Sequence, residues 1–424
     1  MPKYLWIAIL SVAVHGAAQT SPGTLTTILD FNTTAVALPK TGLLIGPNGV
    51  LYGTASWPAG YAVYSLTPPT EPGGSWTYAT LYQTQGTELS QTVTSAPGLA
   101  IDSNGVLYGA TNRIVDTACA SHTCGWIFSL TPPASPGGAW TETTLYTFTG
   151  GADGTGPQAG VTIGTGGVLY GTALGGPGKG LVYSLTPPAS PGGTWTQTTL
   201  HNFEDRADGA EPSGALAIDS QGVLYGTTSY GGGSNYGSVF SLTPPSSPGG
   251  EWTETVIYGF TGEGDGPHPA GGVLIGTGPT GQTVVYGAGG ANQDGASHDG
   301  VLYSLTAPSE PGGSWTQTVL YAFPSDYWFS PGPLVWGSGG ALYGSTFYGG
   351  AQRSGSVYAL IPPASDGAPW TFRSIYSFAY GFDAPGGNSP YLGEALAVGG
   401  DGLIYGTTSG GGPFNFGTAF SLRP

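Results

Sequence analysis

Runs of four to nine residues rich in apolar and β-branched side chains alternate along this chain with polar stretches dominated by glycine and proline. That is the pattern of short strands joined by turns. Residues 215–260 show it cleanly. A first strand, Ala215-Leu216-Ala217-Ile218, ends in the turn Asp219-Ser220-Gln221-Gly222. A second runs from Val223 to Thr228 and is followed by the glycine-rich loop from Tyr230 to Gly237. A third covers Ser238 to Leu242, and the connector Thr243-Pro244-Pro245-Ser246-Ser247-Pro248-Gly249-Gly250 leads into a fourth, Trp252 to Phe260.

The same four-strand pattern recurs through the chain. Near-copies of Gly222-Val223-Leu224-Tyr225-Gly226-Thr227 place tyrosines at Tyr52, Tyr108, Tyr170, Tyr225, Tyr286, Tyr343 and Tyr405, every 55 to 62 residues. Seven four-stranded units at a fixed period read as the blades of a propeller, each burying its apolar faces against its neighbours. A second ruler opens the fourth strands, at Trp76, Trp140, Trp195, Trp252, Trp315 and Trp370, with Leu or Ile five residues on. It has six copies for seven units. Gly23 to Phe31 matches the fourth-strand pattern with glycine in place of tryptophan, and the last unit stops after its third strand. The expected fold is therefore all-β, a seven-bladed propeller forming one domain over residues 19–424, whose N-terminal strand, 23–32, completes the last blade. Closing the ring in this way removes strand edges that would otherwise template aggregation. The repeated tryptophans and tyrosines are expected to pack between adjacent blades.

The units G-x-L-Y-G-T, G-G-x-x-x-x-G-x-V-F-S-L and F-x-x-x-x-D-G-x-x-P resemble those of the bacterial choice-of-anchor tandem repeat (GloVer-type) proteins over residues 23–424. The paired glycines before the third strand and the tryptophan opening the fourth also resemble kelch blades. The resemblance implies an exported protein, often joined to a C-terminal anchor. This chain departs from it by ending directly after a third strand, which counts against surface anchoring.

Composition sharpens the picture. With 78 glycines and 36 prolines, the chain would read as disordered were it not for the period, which sets these residues at repeated turns. Charged residues make up only 8% and the net charge is −16. Eight Lys and Arg spread over the chain cannot build a phosphate-neutralising groove, so nucleic acid is excluded as a partner. Residues 1–18 read as an export signal, with Lys3 as the basic region, Tyr4 to Val14 as the apolar run, Gly16-Ala17-Ala18 as the cleavage site and Gln19 as the first mature residue. The apolar run is too short to span a bilayer. A monomer that is secreted, periplasmic or at the cell surface, without an integral membrane segment, is expected.

Candidate chemistry is sparse. Cys119 and Cys124 lie in the loop after the second strand of unit 2, and in an exported chain so close a pair reads as a local disulfide. A zinc site with His122 and Asp116 is the alternative; it lacks a spacing motif, and no metal or cofactor is expected. Asp153, Asp208, Asp265 and Asp383 each follow a fourth-strand phenylalanine by five residues, at the rim that also bears the glycine-rich loops. These read as turn-capping carboxylates. The densest charge is Glu204 to Glu211, where Glu204, Asp205, Asp208 and Glu211 are the candidates for carboxylate catalysis of glycosidic bonds. Such an enzyme would show two carboxylates converging in a pocket, with one buried enough for its pKa to rise. Aromatics outside the repeat, Trp57, Tyr230, Tyr236, Trp328, Phe347, Tyr348, Phe414 and Phe416, are the candidate ligand-binding residues. A flat ring beside amides and carboxylates suits a neutral glycan, with an envelope component or another extracellular protein as further candidate partners.

Overall fold

The computed structural model describes residues 23–32, 38–39, 41–57, 60–71, 73–84, 98–114, 124–135, 137–190, 192–204, 207–247, 249–269, 271–290, 300–310, 312–324, 331–365, 367–379, 388–390 and 396–424. Seven four-stranded antiparallel blades are arranged in a ring, and in six of them the strands follow chain order from the inside out. Blades 1, 2, 5 and 6 cover residues 44–83, 100–147, 274–322 and 335–377. Blade 3 is built from Thr162–Ile163, Leu169–Ala173, Leu181–Thr186 and Thr196–Asn202. Blade 4 is built from Ala210–Ile218, Leu224–Tyr230, Ser238–Thr243 and Thr253–Gly259. In blade 7 the strands Ala397–Val398, Ile404–Gly410 and Thr418–Arg423 are completed on the outside by Thr24–Asp30. The ring is closed by the chain's first described strand.

The outer strands carry a shared irregularity that identifies this closing strand. In every blade the register between third and fourth strands slips by one residue at the Leu or Ile that follows the tryptophan by five, for example at Leu200 and Ile257. Such a bulge increases the local twist and re-aims the side chain. Between Thr24–Asp30 and Thr418–Arg423 the slip falls at Ile28, the matching position. Phe31 then meets Tyr64 of blade 1 edge-on at 5.4 Å, as Phe148 meets Tyr183 and Phe203 meets Phe240 in the blades that follow them. Thr407 Oγ1 of blade 7 donates to Thr41 O ahead of blade 1 at 2.8 Å, sealing the same joint.

The repeated aromatics form the seams between blades. Five of the fourth-strand tryptophans cross one: Trp140 with Tyr52, Trp195 with Tyr108, Trp252 with Tyr170, Trp370 with Tyr286, and Trp76 with Tyr405, all edge-on at 5.9–6.4 Å. Edge-to-face rings at this separation join large buried areas to a fixed geometry. Blade 1 has Thr84 where other blades have the phenylalanine, and Tyr61 from its third strand supplies the missing ring, 5.6 Å from Phe128 of blade 2.

The first strand of blade 4 begins earlier than the apolar pattern suggests. Ala210–Ile218 includes Pro212, paired opposite Thr228, and Pro39, Pro157 and Pro331 form the same bridge in blades 1, 3 and 6. The proline of D-G-x-x-P thus belongs to the inner strand as well as the turn. It lacks an N–H, which an edge strand does not need on its open side. The inner strands of blades 1, 2, 6 and 7 wall an apolar cavity of about 330 Å³ with Leu43, Leu44, Leu99, Val335, Leu396 and Val398 among its residues.

Candidate functional site

Where a fourth strand ends and the chain crosses to the next blade, an aspartate organises the turn. Asp153 accepts from Thr149 N and Thr149 Oγ1 at 2.8 and 2.6 Å, and from the Tyr146 hydroxyl at 2.8 Å. Asp265 accepts from Thr261 N, Thr261 Oγ1 and the Tyr258 hydroxyl at 2.7, 2.9 and 3.2 Å. In blade 5, Gln317 Nε2 reaches back across the seam to donate to Asp265 O at 2.8 Å. These are structural clasps in which each polar group finds a partner, as turn-capping carboxylates should. The carboxyl of Asp153 is held below its ordinary range: burial acts against this, and is outweighed by the hydrogen bonds from Thr149 and Tyr146.

The joint between blades 3 and 4 is built on the same plan with different residues. His201 stands where Tyr146 and Tyr258 stand, and Glu254 where Gln197 and Gln317 stand. Asp208 still receives Glu204 N at 3.0 Å. His201 Nε2 lies 3.4 Å from Asp208 Oδ2, long for a hydrogen bond and an ion pair once the imidazole is protonated. Buried atoms without a hydrogen-bond partner gather here: His201 Nε2, Asn202 Oδ1 and Glu254 Oε1. Burial, and then the charge of Asp208, push the Glu254 carboxyl up to about 7. Burial also lowers the His201 pKa, opposed by Asp208 and Glu204. Glu142, the residue at this position in blade 2, is likewise raised by burial, but it faces the tyrosines Tyr61 and Tyr82.

This joint opens into a groove of about 860 Å³. Its wall includes Thr198, His201, Asn202, Glu204 and Asp208 from blade 3, and the connector Gly249 to Trp252 from blade 4. Of the carboxylates singled out from sequence, Glu204 and Asp208 meet in it. Glu211 is exposed on the first strand of blade 4 and does not line it, and Asp205 lies outside the described residues. Sequence reasoning missed His201 and Glu254. His201 carried a signal, since the other tryptophan-led outer strands keep tyrosine at its position (Tyr82, Tyr146, Tyr258, Tyr321, Tyr376), whereas the position of Glu254 varies from unit to unit and carried none.

The candidate aromatics divide. Tyr230 and Tyr236 flank His268 edge-on at 5.3 and 5.6 Å, and His268 Nδ1 donates to Ser229 O at 2.8 Å, so these rings pack on the crossing that leads from blade 4 to blade 5. Phe416 packs against the core shared by blades 7 and 1. Phe347 lies half-buried and edge-on to Tyr348, which is 46% exposed, and Phe414 is 55% exposed. Tyr348 and Phe414 stand on the second-to-third-strand loops of neighbouring blades 6 and 7. Trp328, Asp383, Cys119, His122 and Asp116 lie outside the described residues, as does the side chain of Trp57. Among the described residues no three His, Cys, Asp or Glu are placed to hold a metal ion, and no helix is long and apolar enough to cross a membrane.

The sequence pattern of the Gloeobacter/Verrucomicrobia repeat matches residues 59–293. No curated protein matches the sequence. Among solved structures, a protein from Lactobacillus plantarum superposes with a TM-score of 0.52 at 16% identity, over 82% of this chain and 84% of that one. The periplasmic gluconolactonase PpgL of Pseudomonas aeruginosa gives 0.50 at 12% identity, over 91% and 96%. The PQQ-bound aldose sugar dehydrogenase of Streptomyces coelicolor gives 0.45 at 14% identity, over 81% and 99%. At these identities the likeness is one of fold.

Proposed function

The chain belongs to the Gloeobacter/Verrucomicrobia repeat family, and from that premise we propose an exported binding protein that takes a neutral glycan on its loop-bearing face, over blades 6 and 7. The observation that carries this reading is the exposure of Tyr348 and Phe414 on adjoining loops, in a protein whose repeated aromatics are otherwise spent on blade seams. A ring presented to water at this cost suits the C–H face of a pyranose, with backbone and amide groups of the loops available to its hydroxyls. The poverty in cations favours a neutral over an anionic glycan. Export rests on the leader, residues 1–18, and a mature chain starting at Gln19 by mass spectrometry checks it.

The binding reading is tested by a glycan array on the mature protein with Tyr348→Ala and Phe414→Ala. Loss of at least about tenfold in affinity at an unchanged melting temperature is expected. Retained binding would assign these rings no ligand role. Tyr230→Ala and Tyr236→Ala should instead lower the melting temperature, because those rings pack on His268. A disulfide between Cys119 and Cys124 is part of the same proposal for an exported protein. Cys124 is 1% exposed at the start of its strand, and under non-reducing conditions the peptide spanning both should be two hydrogens lighter; free thiols would refute it.

A further inference from the structure

We propose that the loop face is built for an acetamido sugar: at the joint of blades 7 and 1, Leu38 and Phe414 receive the methyl of the acetamido group and the Asn415 amide donates to its carbonyl. This rests on the glycan reading above and names the sugar class. Five large hydrophobic side chains are exposed among the described residues, and three of them, Leu38, Tyr348 and Phe414, stand on this face over blades 6, 7 and 1. Val319 lies on an outer strand and Ile361 at the far end of a third strand. Apolar surface gathered in one sector marks an interaction site. The loop itself does not call for Phe414. In blade 4, Asn235 Oδ1 accepts from Gly231 N at 3.3 Å, and in blade 7 Asn415 Oδ1 accepts from Gly411 N at 2.9 Å; both asparagines are left-handed, with φ of 67° and 55°. Directly before that asparagine stands Ser234 in blade 4 and Phe414 in blade 7. A serine serves the same loop, so the exposed ring answers to something outside it.

Leu38 is uncovered by a second difference between the same two joints. Its neighbour Pro39 closes on the blade 7 loop, where a Cβ on Gly417 would lie 3.2 Å from the proline ring, and Pro269 closes on Gly237 of blade 4 in the same way. The residue before the proline is left-handed in both cases, with φ of 59° at Leu38 and 48° at His268. His268 is enclosed by Tyr230 and Tyr236. At Leu38 the corresponding loop residues are Gly410 and Phe416, so one covering ring is gone and the leucine is 37% exposed. A leucine held left-handed and in water carries two costs that glycine would avoid. The chemistry of the patch then selects the substituent. A phenyl ring suits the C–H face of a pyranose, whereas leucine has no flat face and no polar atom and suits a methyl group. The exposed Asn415 has its Oδ1 taken by the loop, which leaves its Nδ2 as a donor beside Phe414. A methyl group next to an amide carbonyl is what the acetamido substituent presents.

The test is calorimetric titration of the mature protein with chitohexaose and cellohexaose, which share linkage and length and differ in the acetamido group. The parent should bind chitohexaose at least about tenfold more tightly, the worth of one well-placed methyl group. In Leu38→Gly and Leu38→Asn that preference should shrink to less than about threefold. Glycine and asparagine both accept left-handed backbone, so the melting temperature of either variant should be no lower than the parent's. Equal affinity for the two hexaoses, a preference that survives Leu38→Gly, or a lowered melting temperature in both variants would overturn the acetamido site and leave the glycan reading of the loop face standing. Binding of neither hexaose would overturn it as well, and silence across the whole glycan array would take the broader reading with it.

Discussion

Gly226 explains why the G-x-L-Y-G-T unit tolerates no side chain at its second glycine. The backbone there is ordinary extended strand, so conformational freedom is not the reason. Gly226 pairs with Phe240 across the ladder, and a Cβ on it would sit 2.6 Å from that ring's Cζ and 2.8 Å from Leu216 Cδ2. The third-strand ring lies flat over the bare backbone, and Tyr64, Phe128, Tyr183, Tyr303, Tyr358 and Phe420 repeat the arrangement over their own glycines. Rings this deeply buried cannot step aside, so Gly226→Ala should destabilise by about 1–3 kcal/mol through overpacking, read from chemical unfolding. An unchanged midpoint would mean the ring is free to move. The threonine that follows works outward: Thr227 Oγ1 lies 2.8 Å from Gly271 O, at the start of the next blade. Both roles are written in the repeat, but their reasons are contacts between strands and between blades that the linear pattern does not display.

The outer strand with its following turn is the element on which structure and candidate chemistry meet. Its tryptophan and terminal phenylalanine hold the seams, its bulge aims the intervening Leu or Ile inward, and its third position, the site of Glu254, faces the joint with the preceding blade. Replacing tyrosine by histidine and glutamine by glutamate at one joint should therefore appear as a pH-dependent cost. The folded pKa of Glu254 is raised to about 7 from 4.5, so between those values the folded protein binds more proton than the unfolded chain. Stability from this group is full below about pH 4.5 and is lost as pH rises through about 7. Full linkage for such a shift is about 3 kcal/mol, and because the group is half-exposed about 1–2 kcal/mol is expected after screening by water. Unfolding of Glu254→Gln and the parent, compared from pH 4 to 8, should show the variant gaining that much relative stability as pH rises. A pH-independent difference would place the carboxyl in open water.

For the whole molecule, the decisive contact is between its two ends. Thr24–Asp30 pairs with Thr418–Arg423 and puts Phe31 and Ile28 into the core shared by blades 7 and 1. Removing residues 19–32 should leave blade 7 with a bare third strand and both flanking seams incomplete. The expected result is a large fall in melting temperature or aggregation, and an unaltered transition would contradict closure by this strand. That closure is legible in the amino-acid order, because it follows from counting: seven second strands, six tryptophans that open fourth strands and one N-terminal segment of the right pattern. The turn-capping role of Asp153 and Asp265 is legible there too, since Asp-Gly turns cap their own backbone. Blade number, strand order, the exchange of ends and the identity of the core aromatics all follow from periodicity, since a repeat states each of these several times over and packing between near-identical units leaves one way to satisfy them. The groove does not follow from it. His201 and Glu254 are 53 residues apart and belong to different blades, and what joins them is the seam between an outer strand and its neighbour's turn. Burial, the proximity of Asp208 and the loss of hydrogen-bond partners are properties of that seam in the closed ring, and no period along the chain encodes them.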